Sequence, residues 1–381
     1  MKQQDFEEYI RQVEPSAQES AYAWKTAIGL QAVDGLKPSA YLLETAKRNI
    51  EGDITIDEVR ELLDTYYRSK TVRTEQDDDM EEADKVSANI KKILSSKTLA
   101  FNTNGFISIH RRIFEGVFKH AGEIRKYDIT KKEWILRGDT IHYLNWEDIR
   151  RAVDYDIQQE REFSYKGLSD ENKIKHICRF VSGLWQIHPF REGNTRTTAV
   201  FTIQYLRSIG YKVNNDMFAD YSWYFRNALV RANYKNPTLD IDYDYNYLEK
   251  FFQNLLMGTH HELKNRYLII NAPDNWTVGN DTQDDTQGLQ NDTQGLRNDT
   301  QGLRNDTQGL QNDTQEIIIP NKNELDSWIE EQIRKNPKIT TEQLALMSHR
   351  SAITIKRHIA KLAHIKFVGR GFSGRWEIVD K

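Results

Sequence analysis

Apolar residues recur every three to four positions along much of the chain, the period of a helix with one buried face. Tyr41, Leu42, Leu43, Ala46 and Ile50 form one such face, which ends near Gly52. Ile56, Val59, Leu62, Leu63 and Tyr66 form the next, with Thr55 and Asp57 as candidate caps. The pattern resumes over about 86–120 through Phe106, Ile109, Ile113, Phe114 and Val117, and again from 147 to about 268. Between these blocks, KYDITKKEWILRGDTIHYLN at 126–145 sets β-branched and aromatic residues around Lys-Lys and Arg-Gly-Asp breaks. It predicts a β-hairpin or flap. The acidic run EQDDDMEEAD, Glu75 to Asp84, predicts a solvated loop or helix start and is given no function.

Residues 271–315 break the pattern. Asp-Thr-Gln recurs at 285, 292, 299, 306 and 313 within NDTQGL units. The period of seven is no coiled coil, because each unit has one Leu and no second apolar position. So little apolar area cannot offset the entropy of ordering, which predicts a flexible polar linker; a stacked β-solenoid is the alternative. Beyond it, Leu325, Trp328, Ile329 and Ile333 share a helical face. ITTEQLALMS and SAITIKRHIAKLA predict two short helices, and IKFVGRGFSGRWEIV a strand pair, which is winged-helix order. The expected division is a helical N-terminal region at 1–94, a second helical domain at 95–270, a linker at 271–320 and a winged helix at 321–381.

Composition narrows the class. The 381 residues carry 53 basic and 57 acidic side chains, a balance that argues against a chain-wide nucleic-acid coat. Local basic positions remain in the last module, at Arg350, Lys356, Arg357, Lys361, Lys366, Arg370 and Arg375. A single cysteine, Cys178, excludes an internal disulfide framework and any multi-cysteine metal site. No apolar run has signal-peptide or membrane-span length, so a soluble, cytoplasmic protein with no membrane partner is expected.

The densest chemistry is His188-Pro189-Phe190-Arg191-Glu192-Gly193-Asn194-Thr195-Arg196. Ile174, Ile177, Cys178, Val181, Leu184 and Trp185 predict a buried helix that delivers His188 at its end; RTTAVFTIQYLRSIG predicts a second, closed by Gly210. A polar, glycine-bearing loop that opens a helix suits a polyphosphate, since unpaired N–H groups and the helix dipole attract anions. Gly193 permits close backbone approach. Arg196 can bond phosphate oxygens, and Glu192 is a hard ligand for Mg²⁺. Asn194 can donate to an oxygen or fix the loop. His188 can act as a general base near neutral pH. Phe190 belongs to the core.

The string HPFREGNTR resembles the signature of the Fic family, and FISIHRRIFEGVFKHAGEIR at 106–125 is similar to that family's helix and Ala-Gly-x-x-Arg turn. The resemblance, over about 95–270, implies a mainly α fold: a helical bundle with one small β-hairpin flap. It implies transfer of AMP from ATP to a Ser, Thr or Tyr hydroxyl of a target protein, with Mg²⁺ at the α/β-phosphates. His188 would be the base, Glu192 the Mg²⁺ ligand, and Arg191, Gly193, Asn194, Thr195 and Arg196 the nucleotide-contacting stretch. The 126–145 segment would align the target by β-augmentation. Tyr224 and Asn233 resemble adenine-pocket positions, with packing as an equal reading. Thr195 stands where many relatives have glycine, and Ala199 where they have a second arginine.

RNIEGDIT at 48–55 resembles the inhibitory helix of Fic proteins, with Lys47 where Ser or Thr is usual. Glu51 is therefore expected to approach Arg196 or the helix N-terminus behind it and to restrain transfer. A nucleotide-sensing, DNA-binding regulator is the competing class, and a de-AMPylating or other nucleotide-transferring enzyme a third. The last module is expected to dock DNA or protein, and a homo-oligomer is compatible with the chain.

Overall fold

A computed structural model describes residues 1–96, 98–213, 216–271, 325–337, 339, 341, 344, 355, 358–359, 362, 364–368 and 375–378. The linker expected at 271–320 thus lies outside the described residues except for Asn271, as do most positions of the two short helices after 338. The chain divides into two compact units, Met1–Thr300 and Gln301–Lys381. Among the described residues the fold is mainly α, with thirteen α-helices and one two-stranded sheet.

The first unit runs α1 (Gln3–Gln12), α2 (Gln18–Gly29), α3 (Ala40–Glu51), α4 (Ile56–Ser69), α5 (Glu75–Leu94) and α6 (Thr103–Ile113). It continues with α7 (Ile149–Glu162), α8 (Asp170–Ile187), α9 (Asn194–Ser208), α10 (Asp216–Asp220), α11 (Ser222–Ala232) and α12 (Asn246–Met257). Local chemistry starts these helices. Ser39, Thr55, Asn102 and Ser169 each accept a backbone N–H of the first turn that would otherwise lack a partner. Of the two caps considered for α4, Thr55 takes the role and Glu58 closes the reciprocal bond. Gly52 ends α3 at φ +85°, as its position after Ile50 suggested.

Two apolar cores result. One gathers α1, α3, α4 and part of α2 around Trp24, Leu42, Leu43, Ala46, Val59 and Leu63. The other is centred on α9, buried from Asn194 to Leu206 and packed against α5, α6 and α8. A helix sheathed on every side sets its own N-terminus rigidly, and that terminus is the Arg191–Arg196 loop. No helix among the described residues is long and apolar enough to cross a membrane.

One expectation needs correction, and a second is met only in part. Residues 126–145 contain no strand; the 3₁₀ turn Trp134–Leu136 sits between segments in no regular element. The backbone does double back, with Glu133 N–H donating to the Asp139 carbonyl and Gly138 N–H to that of Glu133. The ladder stops there because the tip folds inward: Ile135, Leu136 and Ile141 are buried, and Glu133 pairs with Arg226 of α11 at 2.8 Å. The acidic run is the start of α5, capped by Thr74, and it is not wholly solvated. Glu82 pairs with Arg196, and the buried Asp84 accepts from Ser39 and Tyr67. A helix turns a run of like charges through every direction, so some must face the core.

The second unit has α13 (Leu325–Lys335) and an antiparallel pair, β1 (Ile365–Val368) with β2 (Arg375–Ile378), in register Ile365↔Ile378. Leu325, Ile329, Ile333, Leu344, Ile355 and Ile365 form its core.

Candidate active site

His188 ends α8 in the left-handed region, at φ 49° and ψ 59°, a conformation that costs a non-glycine residue about 1–2 kcal/mol. That turn drops its ring between Tyr143 and Trp185, with centroids at 4.3 and 5.4 Å. The side chain is buried, and neither ring nitrogen has a hydrogen-bond partner among the described residues. Burial, helped by the charges of Lys131 and Arg125, holds its pKa well below the ordinary 6.5. The ring is therefore neutral at neutral pH and able to take a proton.

The loop after His188 is closed by its own residues. Asn194 Oδ1 accepts the Phe190 N–H at 2.9 Å while Nδ2 donates to the Phe190 carbonyl at 2.8 Å. Of the two roles considered for Asn194, this is the fixing one. Phe190 is fully buried and stacks on His110 at 3.8 Å. Gly193 turns the chain into α9 at φ 72°. A Cβ there would lie 2.0 Å from Phe114 Cζ, so both conformation and space demand glycine. Thr195 Oγ1 accepts from Trp185 Nε1 at 2.9 Å, which ties the start of α9 to α8. Arg191 turns the other way, its Nε donating to the Tyr127 hydroxyl at 3.1 Å.

Two residues outside the motif hold this loop. His110 Nδ1 accepts the Gly122 N–H at 2.8 Å, so Nε2 is the protonated nitrogen and donates to the Glu192 carbonyl at 3.1 Å. Burial lowers His110 to about 3, which keeps that tautomer neutral. Arg125 donates to the His188 carbonyl at 2.8 Å. Helical spacing from Phe106 places His110 beside the core face, the sequence signal for it; Arg125 closes the Ala-Gly-x-x-Arg turn.

Arg196 is buried beneath the loop, over the Phe114 ring at 4.8 Å. Its Nε lies 2.7 Å from Asp34, Nη2 lies 2.8 Å from Glu82, and Nη1 donates to Gln31 at 3.0 Å. Burial opposes its charge, but the two carboxylates outweigh it and hold the guanidinium above its ordinary value. Asp34, Glu82 and Gln31 are thus site residues that sequence reasoning missed. Glu82 could have been found from its spacing with Val86, Ile90 and Ile93 on one face of α5.

Glu51 is not brought to Arg196. It sits at the exposed end of α3, 3.8 Å from Lys47, and its carboxylate is among the causes, after burial, that push Tyr9 up to about 12. Glu51 lies one turn of helix past Lys47, and α3 ends directly after it at Gly52. Tyr224 and Asn233 are buried and engaged in packing: the Tyr224 hydroxyl reaches the Tyr247 carbonyl, and Asn233 Nδ2 binds Ser182 and Leu229.

Among the described residues, no cluster of three His, Cys, Asp or Glu side chains could hold a metal ion. Mg²⁺ seldom needs one, because it commonly takes one or two carboxylates with substrate phosphates and water. Glu192 offers one such carboxylate: burial raises its pKa, while the nearby charges of Lys131 and Arg196 favour the ionised form that a metal would need.

No side chain caps α9, whose N-terminus follows a locked glycine turn and faces the histidine loop. Fold and site together define a helical protein with a rigid, anion-suited loop beside a neutral buried histidine. Residues 100–206 match the Fic/DOC family, and the chain carries a domain of that family. It is 31% identical over 117 residues to protein adenylyltransferase VbhT of Bartonella schoenbuchensis, and 26% over 118 residues to a probable protein adenylyltransferase Fic of Salmonella typhimurium. Each match takes in 30% of this chain, and they span 23% and 55% of those relatives' lengths. A solved Fic family protein from Desulfovibrio desulfuricans G20 aligns over 97% of this chain and 90% of its own, with a TM-score of 0.41 and 11% identity.

Proposed function

We propose that this chain transfers AMP from ATP to a hydroxyl group of a target protein. The observation that carries the reading is His188: buried, neutral, without a hydrogen-bond partner on either ring nitrogen, and held at the mouth of the α9 loop. The hydroxyl oxygen attacks the α-phosphorus while His188 takes its proton. The bond from the α-phosphorus to the bridging oxygen breaks, and pyrophosphate leaves. Backbone N–H groups at Asn194–Arg196 take the phosphate charge, because the helix terminus presents them without reorganisation. Mg²⁺ held by Glu192 and the phosphates would neutralise charge on the leaving group. The 126–145 segment, irregular apart from the 3₁₀ turn Trp134–Leu136, would seat the target's backbone next to His188. The second unit is read as a winged helix that docks DNA or a protein, supported by α13 and the β1–β2 pair.

ATP labelled at the α- or the γ-phosphate, incubated with the protein and a cell extract, tests the reading. Label should reach protein from the α-position alone. Transfer from the γ-position, or from neither, contradicts it.

A further inference from the structure

We propose that Arg125 is the positioning residue of this site: one guanidinium fixes the backbone of the base and both feet of the 126–145 excursion together. Its side chain is fully buried. Nε donates to the His188 carbonyl at 2.8 Å, and Nη2 lies 3.4 Å from that of Ile187. Nη1 donates to the Tyr127 carbonyl and Nη2 to that of Leu144. The Arg125 backbone N–H adds the Pro189 carbonyl at 2.9 Å. Three consecutive carbonyls around the base therefore end on one residue.

The need for this arises in α8. The last carbonyls of a helix have no partner within it, and His188 leaves α8 in a left-handed turn that must be held from outside. A cation also suits a helix C-terminus. The carboxylate paired with Arg125, Asp128, is 3.7 Å away and 63% exposed, so the fork is committed chiefly to carbonyls. Five N–H donors in a fixed plane can reach three segments at once, which a lysine ammonium cannot. Tyr127 and Leu144 flank the excursion, and Tyr143, next to Leu144, packs on the His188 ring at 4.3 Å. A target strand seated on the excursion is thereby placed relative to the base, while the phosphate-facing end of α9 is held independently by Asn194 and Thr195.

The activity arm of the test rests on the transfer reading; the exchange arm does not. Arg125→Lys and Arg125→Met are made in the full chain. Hydrogen–deuterium exchange is followed in peptides covering 126–145 and 186–190, and kcat and the KM for ATP are measured with α-labelled ATP. In Arg125→Lys, exchange should rise in both segments together. The kcat should fall on the order of 10²-fold, the cost of misplacing a reacting group by about 1 Å, with the KM for ATP within about twofold of wild type. If Arg125→Met does not fold, Arg125→Lys, which keeps the cation, decides. Exchange that rises in one segment or neither overturns the proposal, as does an unchanged kcat, or a KM for ATP that climbs in step with the loss of kcat. If the wild type transfers no AMP, the transfer reading fails and the exchange result alone decides the clamp.

Discussion

A methyl group at position 193 would sit 2.0 Å from Phe114 Cζ and demand a left-handed backbone at φ +72°. Overpacking costs about 1–3 kcal/mol and the backbone about 1–2 kcal/mol more. Gly193→Ala should therefore lower the melting temperature by several degrees, and a calorimetric scan equal to wild type would refute the packing described. The residues of the 188–196 motif were legible from chemistry: a base, a carboxylate, a glycine, an amide and an arginine within one loop. Their partners were not. Nothing local to Asn194 says that it bonds the Phe190 backbone, and Trp185 meets Thr195 only because α8 and α9 pack side by side. Arg191 shows the limit of motif reading, since its neighbour is Tyr127 on the excursion.

At the scale of elements, α5 and the turn after α2 contribute the acids at Arg196, where α3 was expected to bring Glu51. Glu82 and Asp34 neutralise Arg196 inside the protein, whereas Glu51 remains at the surface beside Lys47. The i, i+4 spacing of Lys47 and Glu51 could be read in the sequence, but which helix reaches Arg196 depends on tertiary packing. Glu82→Gln removes one of two charges that offset a buried guanidinium and also reduces negative potential near the loop. It should lower the melting temperature and tighten ATP binding, read by thermal melts and an ATP titration. Glu51→Gly should leave ATP affinity unchanged and cost only the helix propensity of a glycine, about 1 kcal/mol. A gain in affinity with Glu51→Gly but not with Glu82→Gln would reverse this assignment. The excursion at 126–145 likewise shows what composition can convey. Its β-branched and aromatic residues predicted a hairpin, but the Glu133–Arg226 pair and the buried Ile135 pull its tip into the core before strands can pair.

Across the whole molecule, helical periodicity and caps made the mainly α fold legible, because buried faces repeat locally; the junctions between helices depend on buried polar groups that follow no period. Those groups give the protein a defined response to pH. His110 and His188 are held neutral by burial, so the folded state binds fewer protons than the unfolded chain below pH 6.5 and loses stability as pH falls, by about 2 kcal/mol at pH 5 for His110. Asp84 acts oppositely. Burial raises it to about 6 despite the donors Ser39 and Tyr67, so the folded state binds more protons than the unfolded chain between about pH 4 and 6 and gains roughly 1 kcal/mol at pH 5. Asp84→Asn should thus lose more melting temperature than wild type between pH 7 and pH 5; an equal or smaller loss would show that Asp84 is ionised in the folded protein. The central claim concerns His188 as the base of AMP transfer, and intact-mass spectrometry of the acceptor protein after incubation with MgATP tests it most directly. The account predicts added adenylyl groups with the wild-type chain and a loss on the order of 10²–10⁴ in rate with His188→Ala, while ATP binding persists. Equal modification by wild type and His188→Ala would contradict it.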